Sequence, residues 1–422
     1  MKFYIYTLGC KVNTYESNVM KDKLINSGYI EGNENNSDIY IINTCTVTNT
    51  SDNKSLKVVR QVKRNHEDAI VVVVGCMSQV NSNLLDEINV SIILGNSGKS
   101  EIVKYIEEYK KNNKPIKVID NIMEKKFEDM CLNNFDKTRA YVKIEDGCEN
   151  YCSYCIIPYA RGKVRSKDAN VVIDEITKLV SDGHKEIVLT GIHTGHYGSD
   201  IDYSFPKLLK DIENIEGLKR LRISSIEITE LDDEFLSVLE NSKILVDHMH
   251  IPLQSGSNEI LKLMNRKYDK EYFIDKINKI RSIRPNMSIT TDIIVGFPGE
   301  TEELFNETID TVNKIKFSKI HVFPFSLRKG TKAEELPNHL DNTTKKVRVK
   351  KLMELSKELE IDYFNKFINK EIKFLPEIYK EGFLIGHSGN YLLVKTLGSI
   401  DELNEIKKVI VEKIEYPYVI GK

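Results

Sequence analysis

Seven cysteines stand in this chain, at positions 10, 45, 76, 131, 148, 152 and 155. Three fall within one short stretch, Gly147-Cys148-Glu149-Asn150-Tyr151-Cys152-Ser153-Tyr154-Cys155, with the spacing C-x3-C-x2-C. Three thiolates on one loop can hold three irons of a four-iron cluster and leave the fourth without a protein ligand. The amino and carboxylate groups of S-adenosylmethionine (SAM) can chelate that open iron. An electron from the cluster then cleaves the sulfonium to a 5′-deoxyadenosyl radical. A structural zinc knuckle is the competing reading of the same residues. It wants four closed ligands, often as two C-x2-C pairs; no second pair follows, and the first histidine after the loop, His184, lies 29 residues beyond Cys155. Tyr154, directly before the last cysteine, is placed to pack against a bound adenine.

Cys10, Cys45 and Cys76 are far apart in sequence but alike in context. Each ends an expected strand: YTLG before Cys10, INT before Cys45 and VVVVG before Cys76. In a parallel sheet all three ends face the edge where α/β folds bind ligands. The three thiolates are therefore expected to converge on a second metal site, again with an open position, where an exogenous sulfur can be carried. A buried cysteine at one strand end commonly behaves as a small hydrophobe. Three in successive units point to metal. Cys131 lies in a polar stretch without partners and reads as a bystander.

The elements that must position these residues follow from periodicity. Apolar runs alternate with amphipathic helical stretches over residues 1–112, which predicts a parallel α/β domain carrying the second metal site. Residues 111–137 read as a polar linker with a short strand at IKVID. Six further strands are expected in RAYVKIED, EIVLTG, LKRLRISS, HMHIPL, SITTDIIVG and KIHVFPFS. Six strand–helix units suit a partial (β/α)6 barrel, assigned to 134–364 with the helical segment that follows the last strand. Period-2 patterning then predicts a small β-barrel over 367–422. The fold class is α/β throughout its larger part.

Bulk composition bounds the function. Hydrophobic residues make up 41% and charged residues 29% of the 422, an ordinary globular balance. A net charge of −2 gives no global field for nucleic acid. The longest internal apolar run, AIVVVVGCM, falls far short of the ~18 residues a membrane span needs, and the N-terminal run reads as a strand and not as a signal peptide. A cytoplasmic protein without a membrane partner is expected.

Weaker candidates sit at the ends of barrel strands. Gly191, Gln254, Ser255 and Gly296 are expected to meet SAM, Gly191 near its amine and Gln254 and Ser255 near its ribose hydroxyls. Tight strand-to-helix turns would select the same residues. Arg161 and Arg165 read either as solvated loop arginines or as partners of phosphate or the cofactor carboxylate. His193 and His196 read as polar residues at the barrel mouth. The basic run at 343–351 suits either a solvated helix face or a nucleic-acid backbone. The tail from 371 carries seven lysines against eight carboxylates, so RNA binding there would rest on stacking by Tyr391 and Tyr416.

The segments TLGCKVNTYES, INTCTVTNTSDNKS, VVVVGCMSQV and GCENYCSYCIIPYARGKVRS resemble the tRNA methylthiotransferases, a branch of the radical SAM superfamily. The resemblance covers essentially the whole chain. Lys11-Val12-Asn13, IVLTGIHTGHYG and RISSIEITELDDE look like the threonylcarbamoyladenosine type. The resemblance implies an N-terminal methylthiotransferase domain, a radical SAM core and a C-terminal TRAM domain that binds tRNA. It implies two 4Fe–4S clusters, on Cys148, Cys152 and Cys155 and on Cys10, Cys45 and Cys76, and two SAM per turnover. The implied substrate is tRNA with N6-threonylcarbamoyladenosine at tRNA position 37, methylthiolated on carbon 2, with an electron donor such as flavodoxin or ferredoxin and a sulfur donor. Alternatives within the class act on isopentenyladenosine tRNA or a ribosomal protein. Alternatives of another class are a non-enzymatic iron–sulfur sensor and a zinc-dependent RNA-binding protein.

Overall fold

A computed structural model describes all residues, Met1–Lys422. The β-branched run IVVVVG is buried along its whole length, as a central parallel strand requires. The N-terminal unit comprises β1 (Lys2–Thr7), α1 (Lys11–Asn26), β2 (Ile30–Glu31), β3 (Ile39–Thr44), α2 (Asn49–Asn65), β4 (Ile70–Gly75), α3 (Cys76–Asn81), β5 (Ile92–Leu94), α4 (Ile102–Asn112) and β6 (Ile116–Val118). The six strands form one sheet in the order β2-β1-β3-β4-β5-β6, every neighbouring pair parallel. The strand expected in the linker is therefore the edge strand of this sheet. Its pairing with β5 carries the sheet past residue 112, where the sequence pattern placed the boundary.

The central unit begins with β7 (Arg139–Lys143), the two-residue strands β8 (Glu145–Asp146) and β9 (Arg165–Ser166), and between them α5 (Ile157–Arg161). There follow α6 (Ala169–Ser181), β10 (Glu186–Thr190), α7 (Phe205–Glu213), β11 (Arg220–Ile223), α8 (Asp233–Asn241), β12 (His248–His250), α9 (Asn258–Leu263), α10 (Lys270–Ile283), β13 (Ser288–Val295), α11 (Glu302–Ile315), β14 (Lys319–Pro324) and α12 (Asn342–Asn365). All six strands expected from the sequence form. They pair as two parallel three-stranded halves, β7-β10-β11 and β12-β13-β14, joined by a single bridge between Leu221 and Leu245. The barrel is thus partial, with α1 packed beside β7 and α12 beside β14, its two outer strands.

The tail closes a five-stranded barrel from β15 (Glu371–Lys380), β16 (Phe383–Ser388), β17 (Leu393–Leu397), β18 (Lys407–Glu415) and β19 (Tyr418–Gly421). Closure removes free strand edges, and inward Phe374, Leu384, Val394, Val411 and Val419 fill its core. It is fastened to the central barrel by Arg220, whose guanidinium donates to the carbonyls of Lys373 and His387. No helix is long and apolar enough to cross a membrane.

The N-terminal unit docks with comparable specificity. Tyr15 of α1 donates to the Glu175 carboxylate on α6 at 2.9 Å. Arg328, after β14, donates to Thr46 Oγ1 and Asp52 Oδ2 at 2.7 and 2.8 Å, reaching the loop that carries Cys45.

Candidate active site: two cysteine triads bridged by buried charge

The strand order places β1, β3 and β4 side by side and parallel. Cys45 directly follows β3, Cys76 directly follows β4, and Cys10 caps α1 after the turn that leaves β1. The structure therefore brings the three distant cysteines to one sheet edge, as the strand-end pattern anticipates. Cys76 opens α3 and Cys10 caps α1, so both thiols stand at helix N-termini, and burial pushes the Cys10 thiol up. Gly9 makes the approach possible. It has φ of +99°, and a Cβ there would lie 2.7 Å from Cys45 Cβ and 2.9 Å from its Sγ.

The second triad lies on the loop between β8 and α5. Gly147 starts it with φ of +95°, and a Cβ there would fall 1.9 Å from the Lys163 carbonyl oxygen. Backbone bonds hold the loop from outside: Ser153 N donates to Met264 O at 3.0 Å and Ala333 N donates to Ser153 O at 2.8 Å. Irregular backbone keeps its shape only when such groups are satisfied. Arg266 donates to Cys152 Sγ at 3.2 Å and pairs with Glu227. His193 Nδ1 stands 3.7 Å from Cys148 Sγ. Burial pushes the Cys155 thiol up to about 12, with Cys152 adding to the effect.

Between the triads lies a dry cluster of charge. Glu16 of α1 is fully buried and receives Lys99 at 2.5 Å, Lys143 at 2.8 Å and Arg161 at 2.5 Å. Lys143 and Arg161 also pair with Asp146, at 2.7 and 3.2 Å. Arg165 adds a fourth cation, 3.4 Å from Asp146. Burial opposes charge on Glu16, yet Arg161, Lys143 and Lys99 together hold its carboxyl well below the usual range. Arg161 then turns its Nε to Cys76 Sγ at 3.2 Å and an Nη to Asn13 Oδ1 at 2.7 Å. Asn13 Oδ1 is in turn 3.9 Å from Cys10 Sγ.

Arg161 is thus neither a solvated loop residue nor a phosphate ligand, as its position after the second triad suggested. It is completely buried and reaches the other triad. Its partners lie up to 148 residues away in sequence, so no local pattern marks them. Arg165 is likewise buried, donating to the Arg161 carbonyl.

The cluster also tests whether the residues suit an iron–sulfur group. Four buried cations face two carboxylates, an excess of positive charge that is costly without an anion. Cys76 and Cys10 stand where that anion is needed. An all-sulfur donor set with flanking guanidinium donors suits an iron–sulfur cluster and leaves no closed fourth ligand for zinc.

The remaining candidates divide. Tyr154 packs edge-on to Phe297, beside the triad loop. Gly191 sits against Glu145, whose carboxylate would be 2.7 Å from a Cβ there and accepts the His193 N–H at 2.7 Å. Gln254 holds a left-handed φ of +66°, with its backbone paired to β13. Gly296 has φ of +71°, and its N–H donates to Glu300. Ser255 is fully buried with its hydroxyl beside Thr308 and accepting from Ser257 N, so it is turned away from the barrel mouth. Tyr391 is not free for stacking on RNA either: its ring is sandwiched between His248 and His387 at 4.5 Å each. Tyr416 remains exposed. His193 and His196 stack on each other beside Glu230. In the basic run Arg348 is buried on Glu300, while Lys346 and Lys350 are exposed.

A partial (β/α)6 barrel with a C-x3-C-x2-C loop after its first strand defines a radical SAM enzyme. The comparisons agree. The Radical SAM superfamily model matches residues 142–312, and the model described as uncharacterized protein family UPF0004 matches residues 2–95. The solved radical SAM methyltransferase TsrM from Kitasatospora setae superposes with a TM-score of 0.57 at 14% identity, over 76% of this chain and 72% of that one, a likeness of fold. The Bacillus subtilis threonylcarbamoyladenosine tRNA methylthiotransferase MtaB is 43% identical over 99% of this chain and 95% of its own length. MtaB of Thermotoga maritima is 38% identical over 99% and 96%. A tRNA-2-methylthio-N(6)-dimethylallyladenosine synthase from Natranaerobius thermophilus is 39% identical over 85% and 82%. The chain belongs to the threonylcarbamoyladenosine tRNA methylthiotransferase family. Membership brings a 4Fe–4S cluster and SAM to the radical core.

Proposed function

We propose that this protein converts N6-threonylcarbamoyladenosine at tRNA position 37 to its 2-methylthio derivative, with two 4Fe–4S clusters and two SAM per turnover. The single observation that carries the two-cluster reading is the buried charge network ending on Cys76, which places excess positive charge beside the N-terminal triad. Identity favours the threonylcarbamoyl substrate: the Bacillus subtilis MtaB is 43% identical over 99% of this chain, against 39% over 85% and 34% over 98% for dimethylallyladenosine synthases.

Cys148, Cys152 and Cys155 would hold the cluster of the radical core, and Cys10, Cys45 and Cys76 the auxiliary one. When bound, the first supplies the electron that makes a radical from SAM, and the second supplies sulfur. An aromatic C–H resists acid–base chemistry, which is why the reaction needs both. The chain's own residues do the rest. Arg266 and Arg161 donate to thiolate sulfur and so stabilise its charge. Tyr154 and Phe297 form an apolar wall for an adenine. Gln254, Gly191 and Gly296 line the strand ends where SAM would lie. The units 1–112 (extended by the edge strand), 134–364 and 367–422 correspond to methylthiotransferase, radical SAM and TRAM domains. Lys346 and Lys350 present cations to the tRNA backbone. A separate electron donor, such as flavodoxin or ferredoxin, and a sulfur donor complete the cycle in the cytoplasm.

The test is nucleoside analysis. Reconstituted protein, SAM, a reductant and tRNA bearing the threonylcarbamoyl base are expected to yield the 2-methylthio nucleoside by mass spectrometry. Product from dimethylallyl tRNA alone would contradict the substrate assignment.

A further inference from the structure

A cavity of about 420 Å³ lies inside the barrel, bounded by β12, β13, β14, the C-terminal barrel and the first residue of α1. Its wall is mixed: Lys11, His250, Asp292, His321 and Thr290 bring polar groups to it, and Phe323, Phe364 and Leu393 apolar ones. The other charged groups of the wall are paired within the protein. Lys319 meets Glu360 at 3.0 Å, and Asp292 meets His250 Nε2 at 3.3 Å. His387, also in the wall, pairs with Glu377. Lys11 is the exception: a partly buried ammonium that forms neither an ion pair nor a hydrogen bond with the chain. A partly buried lysine with no anion of its own is open to a charge-assisted bond with one, and it directly follows Cys10 of the auxiliary triad.

Two imidazoles of this wall, those of His248 and His321, are held below their ordinary value. Burial keeps His321 below its ordinary value, helped by His250, Lys319 and Lys11 and opposed by Asp292. Burial with Arg222, His250, Lys11 and His387 keeps His248 well below it. Neutral imidazoles offer one donor and one acceptor each, a wall suited to hydroxyl and amide groups.

The threonylcarbamoyl group on N6 of the substrate base carries a carboxylate, a hydroxyl and a ureido N–H. Carbon 2 and the N6 substituent leave the six-membered ring in different directions. A base that offers carbon 2 to the cysteine triads sends its substituent sideways into neighbouring space.

We propose that this cavity is the subsite for the threonylcarbamoyl group, with Lys11 pairing with its carboxylate and the Asp292–His250–His321 wall bonding its hydroxyl and N–H. The inference rests on the substrate reading given above. Lys11 thereby becomes a specificity-determining residue, because an apolar N6 substituent would leave its charge and the wall's polar groups unpaired.

The test compares two anticodon stem-loop RNAs, one bearing the natural base and one in which the threonyl carboxylate is replaced by a carboxamide. Wild-type enzyme is expected to lose roughly tenfold to a hundredfold in kcat/KM on the carboxamide, mostly through KM. Lys11→Gln is expected to lose a similar factor on the natural base and to treat the two RNAs alike, and Lys11→Arg to keep most of the discrimination. Equal turnover of both RNAs by the wild type overturns the subsite alone, and so does a Lys11→Gln enzyme that still discriminates. If Lys11→Gln fails to load iron, the wild-type and Lys11→Arg comparison decides by the same criteria. Absence of product from both RNAs with fully loaded wild-type enzyme overturns the substrate reading and the subsite with it.

Discussion

The Nε of Arg161 lies 3.2 Å from the Sγ of Cys76. The two residues belong to different units: Cys76 opens the helix that follows a strand of the N-terminal sheet, and Arg161 ends the short helix after the radical-core triad. One guanidinium thus ties the segment that follows the radical-core triad to the N-terminal triad and, through Glu16, fastens α1 to the barrel.

Replacing that link should affect both stability and metal. Arg161→Leu leaves Glu16 and Asp146 buried with less compensation, so about 3–5 kcal/mol of stability is expected to disappear. Urea unfolding under anaerobic conditions measures it. Arg161→Lys should recover part of the loss, since the charge returns but not the forked geometry.

Gly9→Ala tests the approach of Cys10 to Cys45. The new methyl would fall 2.7 Å from Cys45 Cβ at a backbone φ of +99°, so the turn must move. A loss of about 1–3 kcal/mol is expected. Iron retention should fall at the N-terminal triad while the absorbance of the radical-core cluster persists.

The pH dependence follows from Glu16 and Asp146. Both carboxyls are held below their ordinary values in the fold, despite burial, by Arg161 and Lys143, with Lys99 acting on Glu16 and Arg165 on Asp146. A depressed folded value means stability that is present above the unfolded pKa and lost as pH falls. The urea midpoint should therefore drop between about pH 5 and pH 2. In Glu16→Gln the protein is less stable at neutral pH, and the drop is shallower. An equally steep drop in that variant would count against the network as its origin.

Tyr391 ties the C-terminal barrel to the central one. Its ring lies 4.8 Å from the Arg222 guanidinium and 5.5 Å from that of Arg139, between two imidazoles. Tyr391→Ala is expected to cost about 2–4 kcal/mol and to loosen the C-terminal barrel, read as early proteolysis after α12. Tyr391→Phe keeps the stack and should cost about 1 kcal/mol.

Much of this was legible in the amino-acid order because its signals are local. The C-x3-C-x2-C spacing lies in one loop, and six barrel strands announce themselves as short apolar runs. Cys10, Cys45 and Cys76 were recognisable as a set only because each follows a strand and parallel strands share an edge. The short strand Ile116–Val118 was legible within its polar segment, but not its pairing with β5, which makes it the edge of the N-terminal sheet. Arg161 read as a solvated residue or an anion partner, and nothing in the order marked Glu16, Lys99 or Lys143, since burial of a charge depends on partners brought by the fold. The placement of Ser255 and Tyr391 was hidden for a related reason: sequence names a hydroxyl or a ring but not the direction it faces.

The central claim is that one chain holds two iron–sulfur clusters on two cysteine triads. Anaerobic reconstitution followed by iron and sulfide analysis tests it, on wild type and on a Cys10→Ala, Cys45→Ala, Cys76→Ala variant. About eight irons per chain falling to about four in the variant is the predicted result. About four irons in both proteins would contradict it, removing the auxiliary cluster and the source of sulfur.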